Sequence, residues 1–237
     1  MVKKIVLAIL CVASLVGCKS DDNRIYWEIL SEIRNFSDFK ANMSYAYRFG
    51  GDTTASNNIN NIINTVLVEP LVDRDSYITI DSLLNFMYAE KSADSVINRT
   101  YYELNSSASV YEYERFTSVM VFSYYYTGGA NGIAQTAYLN FNSESGDYIP
   151  IGEIILLDET LLLELRRKFC IVREVPINAT AQEVGMFVSP NELAFPEQIG
   201  FSSQGVVFFY NLYEIGPRAI GTTEVIIPYE DVKFIVM

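Results

Sequence analysis

The chain has 237 residues and a mass of 26.8 kDa, which is enough for one large domain or two small ones. Half of the residues are hydrophobic and 19% are charged, a balance that excludes a disordered chain and a membrane protein with several spans. Lys and Arg total 17 against 29 Asp and Glu, so the formal charge of -12 disfavours nucleic acid as a partner, because phosphate binding needs a basic surface. Histidine is absent, which excludes imidazole as a general base or metal ligand and excludes Ser-His and Cys-His mechanisms.

The N-terminal segment is typical of a bacterial lipoprotein signal. Two lysines are followed by an apolar stretch over residues 5–16 that is too short to span a membrane as a helix. The tetrapeptide Leu-Val-Gly-Cys that ends at Cys18 resembles a lipobox, in which the cysteine is acylated with chains such as palmitate. We therefore predict that residues 1–17 are a signal peptide, that Cys18 is lipidated, and that residues 18–24 form a tether.

The tether carries two adjacent acidic residues, Asp21 and Asp22. This pair resembles the signal by which some Gram-negative bacteria export lipoproteins to the outer surface, although a solvated tether also explains it. We expect an outer-membrane lipoprotein that contacts the membrane through its lipid, on either the cell surface or the periplasmic face. Cys170 is then left without a disulfide partner, and we expect it to be a small buried apolar residue.

Residues 25–149 are predicted to form the first of two small subdomains. Alternating apolar and polar residues over 39–49 predict a half-buried strand. Apolar residues at helical spacing predict a helix that begins at the capping residues 57–58, and a second helix over 81–98. Aromatic and β-branched runs between turn residues over 101–141 predict an antiparallel meander.

Residues 150–237 are predicted to form the second subdomain, with the boundary near Pro150. Acidic residues at 158–159 and basic residues at 166–168 predict the two ends of a third helix, because these charges complement the helix dipole. Short strand-like runs follow at residues 184–188, 205–210, 223–227 and 233–236. Because strands and helices are segregated, the predicted class is α+β, with an antiparallel sheet and packed helices in each subdomain.

A single glycine-rich loop, from Gly128 to Gly132, joins two predicted strands. It does not resemble a phosphate-binding loop, because no Lys-Ser or Lys-Thr pair follows and the next segment is a strand, not a helix. We expect a tight connection in which the glycines and Asn131 adopt positive φ.

Carboxylate pairs leave a hydrolytic function open as an alternative. The candidate pairs are Glu112 with Glu114, Glu153 with Asp158, and Asp158 with Glu159. Paired carboxylates can act as general acid and base on a glycosidic bond. Exposed sheet and helix faces of an acidic protein also explain such pairs.

Two separated motifs resemble the extracellular region of RsiV-type anti-sigma factors. The first runs from Tyr124 to Gly132 with a turn at Gly146, and the second runs from Phe208 to Gly221 and continues to Tyr229. Asn131 stands where the family usually has His. The first motif marks these candidates for a binding site or structural turn: Tyr126, Thr127, Gly128, Gly129, Asn131 and Gly132. The second marks these motif candidates: Tyr213, Glu214, Arg218, Gly221, Pro228 and Tyr229.

The resemblance implies a two-part α+β sensor or binding region outside the cell, which acts in that family as a receptor for lysozyme. Deacetylases of the PdaC type carry a similar region. We therefore expect a lipid-anchored binding or sensor module of the envelope without catalytic residues, metal or cofactor. Its expected ligand is lysozyme or a cell-wall component, and its oligomeric state is left open. The alternative is a carboxylate-dependent hydrolase of the cell wall.

Overall fold

The computed structural model describes residues 24–36, 38–71, 79–93 and 101–235. The predicted signal peptide, Cys18 and the tether up to residue 23 lie outside the described residues, as does the end of the predicted second helix at 94–98. Within the described ranges, no helix is both long and apolar enough to cross a membrane.

The first half of the chain forms a five-stranded sheet, called the large sheet below. Its strands are β1 (Tyr26–Asn35), β2 (Phe39–Phe49), β3 (Tyr102–Tyr113), β4 (Phe116–Tyr126) and β5 (Ile133–Asn142). They lie side by side in chain order, and the predicted meander is confirmed as β3, β4 and β5. The sheet is antiparallel except at one pair of neighbours, because β2 and β3 run parallel. The segment between them contains two helices, which return the chain to the end of the sheet where β2 began.

These two helices are α1 (Thr53–Val68) and α2 (Ile80–Ala93), and they cover one face of the large sheet. The core between them consists mainly of Phe39, Met43, Ile59, Ile63, Leu67, Leu83, Leu84, Leu104, Val119 and Phe141. The predicted start of α1 at residues 57–58 is wrong, because Asp52 caps the helix by accepting a hydrogen bond from the Ala55 amide at 2.9 Å. Asn58 donates its side-chain amide to Gly146 O at 3.0 Å instead.

The predicted alternation in β2 holds only as far as Met43. Beyond it, Ala46 and Arg48 are buried, although both occupy even-numbered positions, which the alternation predicts to be exposed. The change coincides with the end of the pairing with β3, which covers only residues 39–43 of β2. There the Asn60 side chain accepts from the Arg48 amide at 2.8 Å and donates to the Arg48 carbonyl at 3.0 Å, in place of a strand.

The second half of the chain packs helices against a three-stranded antiparallel sheet, called the small sheet below. Its elements are α3 (Ile151–Ile154), α4 (Glu159–Arg173), α5 (Ala181–Val184), β6 (Gln198–Ser202), β7 (Gly205–Tyr210) and β8 (Thr223–Ile227). The core here is formed largely by Leu161, Leu165, Phe169, Phe201, Phe208, Tyr210, Val225 and Ile227. The α+β class is therefore confirmed, whereas the domain boundary near Pro150 stays a prediction.

Most elements of this half agree with the sequence predictions. The third helix is confirmed as α4, with the Asp158 side chain accepting from the Leu161 amide at its first turn. The strand predicted at 184–188 is wrong, because α5 ends at Gly185, which takes the left-handed φ of +69°. At 233–236, only Phe234 makes a strand-type bridge within the described residues. Cys170 is buried as expected, and burial raises the pKa of its thiol.

Polar side chains connect the two sheets. Ser118 of β4 donates to Asn140 Oδ1 at 2.8 Å and accepts from the Phe201 amide at 3.0 Å. Asn140 also donates to Ile199 O at 2.9 Å. Because these groups are buried and mutually satisfied, they fix how β6 of the small sheet lies against β4 and β5 of the large sheet.

Buried and partly buried tyrosines lead us to expect that the protein loses stability above pH 10. Burial raises the pKa of Tyr125 to about 12, and its hydroxyl donates to Leu67 O at 2.7 Å. Burial also raises the pKa of Tyr138, Tyr210 and Tyr229. The unfolded chain ionises these phenols near pH 10, so their stabilising contribution is complete below pH 10 and is lost as the pH rises toward 12. Denaturant unfolding at pH 9, 10 and 11 measures the fall, and a constant free energy of unfolding over this range would contradict it.

Candidate functional site

The loop between β4 and β5 adopts a conformation that requires glycine at two positions. Gly128 and Gly129 have φ of +105° and +98°, which is backbone geometry that side chains disfavour. The Tyr126 hydroxyl donates to Gly129 O at 3.0 Å and ties the loop to the end of β4. Both glycines thus have the positive φ that the sequence predicted for this loop, and their structural role stays a prediction.

The positive φ predicted for the end of this loop is wrong. Neither Asn131 nor Gly132 has a positive φ. Gly132 lacks a side chain for another reason, since a Cβ there would lie 2.5 Å from atoms of the Tyr124 ring. Asn131 is exposed, and so it is available to contact a ligand.

A turn after β7 faces this loop and carries an exposed aromatic side chain. Tyr213 has a φ of +67° and is 56% exposed. The neighbouring Glu214 holds the turn together, because its two carboxylate oxygens accept from the amides of Glu197 at 3.0 Å and Asn211 at 2.7 Å. Glu214 therefore stabilises the backbone conformation of the turn that carries Tyr213.

Two side chains of the second half pair with the backbone at the outer edge of β5. Asn211 accepts from the Thr136 amide at 2.8 Å and donates to the Thr136 carbonyl at 2.9 Å, as a neighbouring strand would. Gln198 accepts from the Tyr138 amide at 2.9 Å. The turn that bears Tyr213 is thereby fixed relative to the glycine-rich loop.

Arg218 joins the two motifs directly. Its Nη1 donates to Gly132 O at 3.1 Å, across 86 positions of sequence. Between the motifs lies an open groove of about 500 Å³, called the junction groove here. The residues that define it are Asn131, Gly132, Glu197, Tyr213, Glu214 and Arg218. A second depression of about 640 Å³ shares Gln135, Glu197 and Gln198 with it and continues along β5.

The junction groove offers groups that suit recognition of a polar surface. It presents the aromatic ring of Tyr213, the guanidinium of Arg218, the amide of Asn131 and the carboxylate of Glu197. Tyr and Arg are among the residue types enriched at the energetic centres of protein interfaces. Glu214 accepts backbone amides at both oxygens, so its carboxylate holds the turn.

The carboxylate pairs considered for hydrolysis lie elsewhere in the described structure. Asp158 caps α4, and its hydrogen bond from the Leu161 amide, followed by that from Lys233, lowers the pKa of its carboxyl group. Glu114 occupies the turn between β3 and β4 with a φ of +51°. Glu112, Glu153 and Glu159 are exposed, and none of the five lines the junction groove.

The remaining residues of the second motif have structural positions. Tyr229 stacks on Tyr113 with a centroid distance of 4.2 Å and donates its hydroxyl to Ser202 O. Pro228 precedes it and packs beside Gly205, and Gly221 ends a short 3₁₀ turn with a φ of +75°. Thr127 lies in the exposed glycine-rich loop. The structure thus brings Asn131 and Gly132 together with Tyr213, Glu214 and Arg218, and it places the other motif residues outside the groove.

Sequence reasoning missed four residues that shape the groove or fix its walls: Gln135, Glu197, Gln198 and Asn211. Gln135, Glu197 and Gln198 lie outside both motifs, and Asn211 lies within the second motif but was not marked as a candidate. The contacts of Gln198 and Asn211 with β5 span 60 and 75 positions of sequence. A strand sequence such as that of β5 contains no signal for which side chains will pair with its edge.

The groove lies partly within a known family segment. Residues 165–230 match the DUF3298 model. This model is described as a protein of unknown function, and the matched residues include the turn at Tyr213 and the side chain of Arg218. The glycine-rich loop lies outside the DUF3298 segment, so the junction groove has one wall inside it and one outside. A search of curated proteins finds no match.

Solved structures support the fold over nearly the whole chain. A DUF3298 family member from Bacteroides fragilis is similar with a TM-score of 0.65 at 19% identity, covering 89% of this chain and 93% of that one. A DUF3298 family protein from Pseudomonas aeruginosa is similar with a TM-score of 0.62 at 13% identity, covering 90% and 94%. At these identities the similarity establishes the fold alone.

Proposed function

We propose that this protein is a lipid-anchored binding or sensor module of the cell envelope without catalytic chemistry, and that the junction groove is its ligand-binding surface. The observation that carries the proposal is the meeting of two distant motifs across one groove. Each motif supplies exposed polar groups there, and Arg218 holds the two walls together. The similarity of both motifs to the extracellular region of RsiV-type anti-sigma factors supports the same function.

The backbone of Tyr213 supports a role in binding. A bulky residue at positive φ is a rare outlier that costs on the order of 1–2 kcal/mol, and glycine would avoid this cost. Strain of this kind is concentrated at functional sites. Since more than half of the Tyr213 side chain is exposed, it can contact a ligand directly, and this contact would give the strained position a function.

The ligand that we propose is lysozyme or a component of the cell wall. Removal of residues 1–17 would take away two lysines and no acidic residue, which changes the formal charge from -12 to -14. Such a charge favours rapid encounter with a cationic protein such as lysozyme. A specific complex would bury about 1,200–2,000 Å² around a few anchors, and Tyr213 with Arg218 can serve as these anchors.

Replacing Tyr213 by glycine is expected to separate binding from stability. The free energy of unfolding should stay constant or rise by about 1 kcal/mol, because the strain is relieved. The affinity for lysozyme should fall by about tenfold or more, because an anchor of the interface is lost. Titration calorimetry and thermal unfolding of the detergent-solubilised protein measure the two effects. Leu163→Ala is the matched control, since Leu163 is 57% exposed but lies on α4.

Two results would count against the proposal in different ways. Lysozyme binding that disappears at about 0.15 M salt would show non-specific charge attraction and would remove lysozyme as the ligand. Binding that survives this salt concentration but is equally strong in the wild type and the Tyr213→Gly variant would place the contact outside the junction groove.

A further inference from the structure

The outermost strand of the large sheet, β1, carries exposed apolar side chains along its length. Ile29 and Ile33 are 50% and 64% exposed, and Tyr26 and Phe36 are exposed as well. A long edge strand of this kind is a template for pairing with another chain, and proteins usually protect such an edge with charges, proline or a covering segment.

Alternate backbone groups of β1 point away from β2. The hairpin closes with the Phe36 amide donating to Phe39 O at 2.8 Å, and the pairing continues from Asn35 opposite Lys40. Inward hydrogen bonds then fall at even-numbered residues, so the odd-numbered residues from 27 to 35 direct their N–H and C=O groups outward. Within the described part of the chain, Arg34 Nη1 donates a hydrogen bond to one of these outward groups, the carbonyl of Ile33, at 3.1 Å.

The sequence of β1 is complementary to itself in one antiparallel arrangement. When Ser31 faces Ser31 of a second copy, Ile29 faces Ile33 of that copy. In the same register Glu28 faces Arg34, so opposite charges meet on both sides of the axis. Tyr26 faces Phe36, which pairs the two exposed aromatic rings. The register also matches the backbone, because it places outward-facing odd residues opposite one another.

Neighbouring registers are disfavoured by charge. A shift of two residues is the smallest that keeps the outward groups opposite one another. Shifted one way, Glu28 would face Glu32 of the second copy, and shifted the other way, Glu32 would face Glu32. Like charges directly opposite on neighbouring strands are destabilising, so the charges of β1 select the register centred on Ser31.

The guanidinium at this edge is already held in position. Arg34 Nη2 donates to Asp81 of α2, and Nη1 lies 3.3 Å from Glu32 Oε2. Glu28 is exposed, so its carboxylate is free to approach Arg34 of a second copy. On the opposite face of the strand, the two isoleucine pairs would cover each other's exposed surface.

From these observations we propose that the protein forms a two-fold symmetric dimer through β1, with the strands antiparallel about Ser31, so that the two large sheets become one continuous sheet. The interface is isologous and closed, because each β1 edge is used once. The dimer is independent of the junction groove, which is built from β5 and the second half of the chain.

A cysteine at the proposed axis tests the register. Residues that face each other in a hydrogen-bonded pair have Cα atoms about 5.5 Å apart, within the range that a disulfide spans. Purified full-length Ser31→Cys is therefore expected to form a disulfide-linked dimer under mild oxidation. Ser109→Cys, at an exposed serine on β3, is the matched control, and the wild type with its native cysteines sets the background. Cross-linking of both variants to the same extent would overturn the proposal.

Substitutions that change the charge of β1 residues test the interface itself, and light scattering measures their effect on the dimer. Ile33→Lys should raise the dimer dissociation constant at least tenfold, whereas Leu163→Lys should leave it unchanged. Glu28→Arg and Arg34→Glu should each weaken the dimer, and mixing the two variants should restore dimers, because opposite charges then meet at every pair. A folded wild type that is monomeric at about 100 µM, or a mixture no more associated than its components, would contradict the dimer.

Discussion

Replacing Gly146 by alanine is expected to lower the free energy of unfolding by about 3 kcal/mol. Gly146 has a φ of +74°, a conformation that costs an L-residue about 1–2 kcal/mol. A Cβ there would also lie 2.5 Å from the carbonyl oxygen of Ala55 in α1, and this contact is with backbone that cannot rotate away. Relieving the overlap requires a shift of the turn or of α1, with a further cost of about 1–3 kcal/mol.

Gly185 provides the matched control for this substitution. Its φ of +69° is nearly the same, but the nearest atom to an added methyl group would be Ile220 Cδ1 at 3.7 Å, an ordinary contact. Gly185→Ala is therefore expected to cost only about 1 kcal/mol. Urea denaturation of the two variants measures the difference. Equal losses of stability would show that the turn at Gly146 accommodates the added methyl group without a further loss of stability.

Replacing Cys18 by alanine is expected to move the protein from the membrane fraction to the soluble fraction. Each buried methylene of an acyl chain contributes about 0.8 kcal/mol, so loss of the lipid removes nearly all membrane affinity. Cys170→Ala is the matched control, because Cys170 is buried in the second half and should not affect fractionation. Mass spectrometry of the wild type should detect the acyl groups. A Cys18→Ala variant that still sediments with membranes, together with a wild type of unmodified mass, would rule out the anchor.

Elements with strong local patterns could be predicted from the sequence. The strands β3 to β5 are rich in aromatic and β-branched residues and are separated by glycine and polar turns, so their composition indicated them. In α4, the acidic and basic ends agree with the helix dipole, and Asp158 provides the cap.

Elements that depend on distant contacts could not be predicted. β1 is an edge strand that is at least partly exposed along its whole length. Its burial alternates over residues 29–35, but its apolar residues at 27, 30 and 33 resemble a helical spacing, which hides the strand pattern in the sequence. The polar residues at 57–58 resembled a cap, but they lie inside α1 because the helix is capped by Asp52, ahead of them in the chain. The burial of Ala46 and Arg48 in β2 also departs from the local alternation, and the backbone of Arg48 is paired by Asn60, a contact that no local strand pattern records.

The candidate site likewise has features that the sequence predicts and features that depend on distant contacts. The two motifs that form it could be recognised in the sequence, but their contact through Arg218 and Gly132 could not, because it links two halves of the fold. The left-handed backbone of Tyr213 also contradicts the preference of tyrosine, so only the structure reveals it. Asn131 was expected to serve the turn, and its ordinary φ shows that its exposed side chain is not needed for backbone geometry.

Photo-cross-linking from the junction groove in intact cells tests the central claim most directly. A benzophenone amino acid at position 213 should give discrete adducts with an envelope component after irradiation. The same amino acid in place of Leu163, which has nearly the same exposure, should give none of these adducts. Arg218→Ala should reduce the adducts from position 213, because the loop wall of the groove is released. Identical adduct patterns from the two positions, or no adducts from position 213, would contradict a binding function for the junction groove.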